Sequence, residues 1–206
     1  MFITLEGSEG SGKTTQIPVL AEQLEKRGYR VLTLREPGGT PIGNQIRSIL
    51  LDTRNTELHP RAEILLFQAS RAQLVEQVIH PHLQSGGVVL CDRYSDSTLA
   101  YQGYGYQQDL EVLKSIVNFA TCGLKPDLTL LLDLDVEEGL RRRAKGGEWN
   151  RMDAYQQAFY ERVRQGYLQM AQEEPQRWVI IDASRPLEQV QEQIRQVVFD
   201  RIGITG

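Results

Sequence analysis

The chain predicts an α/β fold: a parallel sheet of five strands covered by helices on both faces. Five short apolar runs recur along its 206 residues, at FITLE (2–6), YRVLTLR (29–35), GVVLCD (87–92), DLTLLLDL (127–134) and RWVIID (177–182). Helix-spaced segments lie between them, and near-continuous apolar strands alternating with helices describe a parallel sheet buried on both sides. A third observation places the chemistry. The stretch GSEGSGKTT (7–15) follows the first run directly and opens a helical pattern.

Taken in order, Gly7-x4-Gly12-Lys13-Thr14 matches the phosphate-loop pattern at every fixed position. Backbone N–H groups of Gly7, Ser8, Glu9, Gly10, Ser11 and Gly12 would turn inward around nucleotide phosphates. Lys13 reaches the outer phosphates, and the Thr14 hydroxyl is placed for Mg²⁺. In the helix that follows, Ile17, Leu20, Ala21 and Leu24 fall at i, i+3, i+4 and i+7, while Pro18 predicts a kink or a lost hydrogen bond. Pro60 starts a helix running to about Ile79. Asp92 ends the third strand, so its carboxylate emerges beside the loop, where it can hold Mg²⁺ directly or through water. Leu187, Val190, Ile194, Val197 and Val198 repeat the helical pattern near the C-terminus. No repeat, linker or low-complexity tract interrupts residues 1–206, which predicts one domain.

A formal net charge of −4 argues against a nucleic-acid binder. Cys91 and Cys122 have no paired spacing and read as buried free thiols in a reducing compartment. MFITLEG shows no targeting signature and no run is long enough for a membrane span, so a cytoplasmic location is expected.

The phosphate can go to water, a protein or a small molecule. A guanine-reading NKxD is absent, and Asp92 is followed by Arg93 rather than a second acid, which favours transfer over hydrolysis. In RRRAKGGEWNR (141–151) five basic residues face Glu148, and Gly146 and Gly147 would interrupt a helix. A mobile basic lid over about 141–152 would neutralise the transferring group and expel water; a solvated basic helix end is the plainer alternative. Arg35, Arg47, Arg71 and Arg93 lie in or beside predicted loops or helix starts. They suit an acceptor that is itself a phosphate, largely dianionic at neutral pH and needing no strong base. A hydroxyl acceptor would instead need a carboxylate, for which Glu36 is the candidate, although the PGG after it points to a substrate-shaping turn. His80 and His82 read as exposed loop residues, and Asp133 and Asp135 as structural.

LEGSEGSGKTT (5–15), REPGGT (35–40), IRSILLD (46–52), FQASRAQL (67–74), DRYSDSTLAYQG (92–103) and PDLTLLLDLD (126–135) together resemble the bacterial thymidylate kinases, in order and spacing, from Phe2 to about Leu187. The resemblance implies a P-loop kinase fold with a short basic lid, conversion of dTMP to dTDP with ATP and Mg²⁺, and a homodimer, for which the 62–79 helix is a candidate face. It implies that Phe67 stacks on thymine and Arg71 bonds its edge, while Ser97, Thr98 and Gln102 line the base pocket. Glu9 would accept from the 3′-hydroxyl, and Tyr101 would lie under the sugar and exclude a 2′-hydroxyl. Arg47 and Arg93 would hold the acceptor phosphate, with Arg93 bridging to the donor. Discrimination against dUMP would rest on one methyl group, about 1–3 kcal/mol. Gly10 marks the type that supplies its catalytic arginine from the lid. Here Arg142 keeps the family position, Arg143 and Lys145 are displaced by one, and Ala144 and Gly146 replace expected arginines. The order of expectation is Arg142, Arg143, Lys145.

Overall fold

The computed structural model describes residues 1–146 and 150–204. Its five strands are β1 (Phe2–Glu6), β2 (Val31–Arg35), β3 (Val88–Asp92), β4 (Leu128–Asp133) and β5 (Trp178–Asp182). They form one parallel sheet, as the alternation of runs and helical segments predicted, and the structure sets their order as β2-β3-β1-β4-β5. The three central strands are apolar almost throughout and buried, because helices cover both faces.

On one face α1 (Lys13–Glu25) and α9 (Leu187–Ile202) pack Ile17, Leu20, Leu24, Val190, Ile194 and Val198 against Ile3, Leu5 and Leu130. Leu187 stays exposed, since it opens the last helix rather than facing the sheet. Helix α1 runs on through Pro18, which cannot donate a backbone hydrogen bond within it. On the other face α8 (Gln157–Glu173) sets Phe159, Val163 and Tyr167 against Ala100, Tyr101 and Leu131.

Beyond α2 (Pro41–Leu51), α3 (Pro60–Leu74) starts at the predicted proline but does not stop at Ile79. A π-helical turn (Val75–Ile79) carries it into α4 (His80–Gln84). The wider turn changes the register, so that Pro81 sits in the first turn of α4, where a missing N–H costs little. His80 and His82 therefore lie on a helical turn and are partly buried, not on an exposed loop. Helix α5 (Ser95–Thr98) runs into a second π-helical stretch (Leu99–Gly105), and α6 (Leu110–Thr121) follows. Cys91 is buried as expected. Cys122 is exposed instead, because it caps the C-terminus of α6 at the surface in a left-handed conformation (φ 48°). Helix α7 (Val136–Lys145) follows β4. No helix among the described residues is long and apolar enough to cross a membrane.

Candidate active site

The register Leu5↔Asp92 between β1 and β3 places the phosphate loop next to Asp92 at the C-terminal edge of the sheet. Gly12 caps α1 at φ 93°, a left-handed conformation that suits glycine, and no side chain caps the helix. A Cβ on Gly12 would meet nothing within 4 Å, so the cradle is open where phosphates enter. Lys13 is buried and folds back on the loop, its Nζ donating to Gly7 O and Ser8 O at 2.9 Å and to Ser11 Oγ at 3.1 Å. Burial, reinforced by Arg93, brings its pKa down to about 8. Thr14 Oγ1 donates to Asp92 Oδ2 at 2.6 Å. Two hard oxygen donors against a phosphate cradle fit a Mg²⁺ that keeps waters and phosphate oxygens as its other ligands. Among the described residues no cluster of three His, Cys, Asp or Glu forms a protein-only metal cage.

A cavity of about 210 Å³ opens beside this loop and is lined from both sides. Glu9, Gly10, Lys13 and Thr14 border it on the loop side; Glu36, Arg47, Phe67 and Arg71 lie opposite, with Asp92, Arg93 and Tyr101 among the walls. Phe67 and Arg71 share a face of α3, as their spacing predicted. The Arg71 guanidinium, 2% exposed, is not a surface charge. It pairs with Glu36 at 2.6 Å and donates to Gln68, Thr98 Oγ1 and the Tyr94 carbonyl. Glu36 keeps one buried oxygen, Oε1, without a partner, and burial raises its pKa despite Arg71. Gln102 donates to buried Glu63 at 2.8 Å while still bordering the cavity. Arg47 donates to the Pro37 carbonyl; burial and neighbouring Arg35 lower its pKa, a strain an incoming anion would relieve.

Arg93 stands between the two sides. Nη2 donates to Glu9 Oε1 and Tyr101 Oη at 3.0 Å, and Tyr101 Oη donates to Glu9 Oε2 at 2.6 Å. Its backbone adopts φ 68°, unusual for a residue with a side chain and typical of functional positions.

Lid charge is distributed differently from the sequence expectation. Arg141 and Arg142 both pair with Glu138, Arg143 with Asp153, and Arg151 with Glu63. The basic run therefore meets carboxylates brought by its own helix and by distant segments. Helix α7 ends at Lys145 with Gly146 as its cap, as the glycine suggested; Gly147 and Glu148 lie outside the described residues. Arg142 turns away from the cavity and donates to the Ala183 carbonyl at 3.1 Å, whereas Arg143 lines it together with Asn150, Met152 and Asp153. The expected order, with Arg142 first, does not match this placement: one residue of helix is about 100° of rotation, which separates the two side chains.

Some neighbours were not foreseen. Glu6 is fully buried, and burial together with Asp96 pushes its carboxyl up to about 7. An acid closing an otherwise apolar run was a readable signal. Tyr167, which bonds Glu6 at 2.8 Å, sits in an ordinary helical sequence and gave none. Asp133 pairs with Arg164 and Asp135 caps α7, both structural as expected.

Residues 5–194 match the family model described as thymidylate kinase. Thymidylate kinase from Roseiflexus sp. (strain RS-1) is 49% identical over 210 residues, covering 96% of this chain and 93% of that one. That from Desulfovibrio desulfuricans is 51% identical over 208 residues, covering 96% and 94%. The crystal structure of thymidylate kinase from Ehrlichia chaffeensis superposes with a TM-score of 0.79 at 33% identity, covering 96% of this chain and 98% of that one. The chain therefore belongs to the thymidylate kinase family and phosphorylates dTMP to dTDP with ATP.

Proposed function

We propose that the phosphoryl group passes in line from ATP to dTMP, with no covalent enzyme intermediate, and that Arg93 bridges donor and acceptor phosphates. The observation that carries this is the position of Arg93 between the phosphate loop and the Arg47–Phe67–Arg71 wall of one cavity. The loop from Gly7 to Thr14 binds the ATP phosphates, and Lys13 exchanges its loop carbonyls for phosphate oxygens. Thr14 and Asp92 hold Mg²⁺, which neutralises charge on the transferring group. Phe67 stacks on thymine, with Arg71, Ser97, Thr98 and Gln102 around the base. Glu36 keeps Oε1 for a substrate donor, an unpaired buried oxygen that a ligand would satisfy. Tyr101 packs under the sugar and Glu9 accepts from its 3′-hydroxyl. Arg143 is the lid cation best placed for the transferring phosphate, since it borders the cavity and Arg142 does not.

The chain works as one P-loop kinase domain with a lid over about 141–152, in the cytoplasm, and pairs as a homodimer. Exposed apolar side chains on α3 and α6 support that pairing: Leu65, Val112 and Phe119, the last 86% exposed. Lys13→Ala and Arg93→Ala test the roles at the transfer centre. Each should lower kcat by about 10³-fold while the protein stays folded; unchanged turnover in either would sink its assignment.

A further inference from the structure

Glu6 closes β1 inside the sheet and, of the groups assigned to substrate above, touches only Ser97. Its carboxylate is nonetheless fully engaged. Oε1 accepts from the Tyr94 N–H at 2.8 Å, and Oε2 accepts from Ser97 Oγ at 2.6 Å and Tyr167 Oη at 2.8 Å. All three donors belong to the surroundings of Arg93. The Tyr94 N–H is on the peptide that follows the left-handed Arg93 backbone. Ser97 Oγ and Tyr167 Oη each lie 3.3 Å from Arg93 Nη1 and accept from it.

A hydroxyl has one proton and two lone pairs, whereas an ionised carboxylate only accepts. Ser97 Oγ and Tyr167 Oη also lie 2.9 Å apart, so each of their protons goes to Glu6 or to the other hydroxyl, and lone pairs are left facing the guanidinium. A neutral side chain of the same shape would donate to one of these hydroxyls and turn its proton elsewhere, toward Arg93 among other directions. We propose that Glu6 is a positioning residue for Arg93, gripping the peptide after it and setting the hydrogen-bond polarity of the two hydroxyls that hold its side chain. This rests on the reading of Arg93 as the cation between donor and acceptor phosphates.

The energetics agree. Glu6 faces Arg93, which favours its charge, while burial and Asp96 disfavour it more, so its pKa lies near 7 rather than at the ordinary 4.5. The fold thus favours the protonated form, and this contribution to stability is lost as pH rises from about 4.5 through about 7. A carboxylate kept there works against stability, as functional groups do.

The test is Glu6→Gln at pH 8, measuring kcat, KM for ATP and dTMP, and the thermal midpoint. Expected is a loss of kcat of at least about tenfold, KM values within about threefold, and a midpoint unchanged or raised. A merely structural role predicts the reverse: a lowered midpoint and a kcat reduced only with the folded fraction. That result, or an unchanged kcat, overturns the proposal. Should Glu6→Gln not fold, Tyr167→Phe decides; it removes one hydroxyl and should lower kcat about three- to tenfold, and an unchanged kcat counts against the idea. The double variant Glu6→Gln/Arg93→Ala should be no slower than Arg93→Ala within about threefold, because both act through one group; multiplied losses overturn the proposal. If Arg93→Ala itself turns over normally, the reading of Arg93 fails. A defective Arg93→Ala beside a normal Glu6→Gln refutes only the role given to Glu6.

Discussion

The molecule holds two groups of arginines, and they are built in opposite ways. Arg71 projects from α3 and Arg93 from the turn after β3, and their side chains are 2% and 19% exposed. Arg141 and Arg142, on the outer part of α7, are 61% and 38% exposed and share Glu138. Both groups are ion-paired, yet the pairs differ in consequence. A buried pair is costly to leave half-made, so Glu36 and Arg71 hold each other in one geometry. An exposed pair contributes little and can exchange its partner for a ligand. The inner arginines are therefore held in place, whereas the exposed ones on α7 can change partners. Arg143, partly buried against Asp153, lies between these extremes.

Arg71→Ala should break this contrast most. It leaves Glu36 buried and uncompensated, so about 3–5 kcal/mol of stability should be lost in denaturant unfolding, together with affinity for dTMP. A loss below about 1 kcal/mol would place Arg71 with the surface charges. Next comes the division within the lid. Arg143→Ala should lower kcat by about 10²-fold and Arg142→Ala by less than about threefold, in steady-state assays at saturating ATP and dTMP. Equal effects would mean that closure brings the Arg142 side to the phosphate.

Helix α7 is not uniform along its length. Its first half is docked on the phosphate loop: a Cβ on Gly10 would overlap the Gly139 carbonyl, and one on Gly139 would stand 2.5 Å from the Glu9 carbonyl. Alanine inside a helix normally stabilises it by about 1 kcal/mol over glycine. Here Gly139→Ala should instead lower kcat about tenfold, because helix and loop must separate; an unchanged kcat with a raised midpoint would show that the contact is slack. The smallest effect belongs to Arg141→Ala, whose pair with Glu138 is exposed. Its thermal midpoint should move by less than about 2 °C.

Much of the fold was legible because its signals are local. The five apolar runs, the proline that opens α3 and the phosphate loop each depend on neighbours within a turn or a strand. The π turn after Leu74 was not legible, since it interrupts the helical periodicity from which helices are read. Phe67 and Arg71 show the intermediate case. Their spacing put them on one face, but an isolated reading would have left Arg71 in solvent.

The sequence by itself determined the order of strands and helices, the loop that holds phosphate, and an arginine set suited to an anionic acceptor, because residue type and short-range spacing suffice for these. Only the tertiary structure decided which charges are neutralised. Glu63 reaches Arg151 across 88 residues, Glu6 reaches Tyr167 across 161, and Asp153 takes Arg143. Electrostatic partnership depends on distance in space and on burial, and neither is a property of a position in the chain.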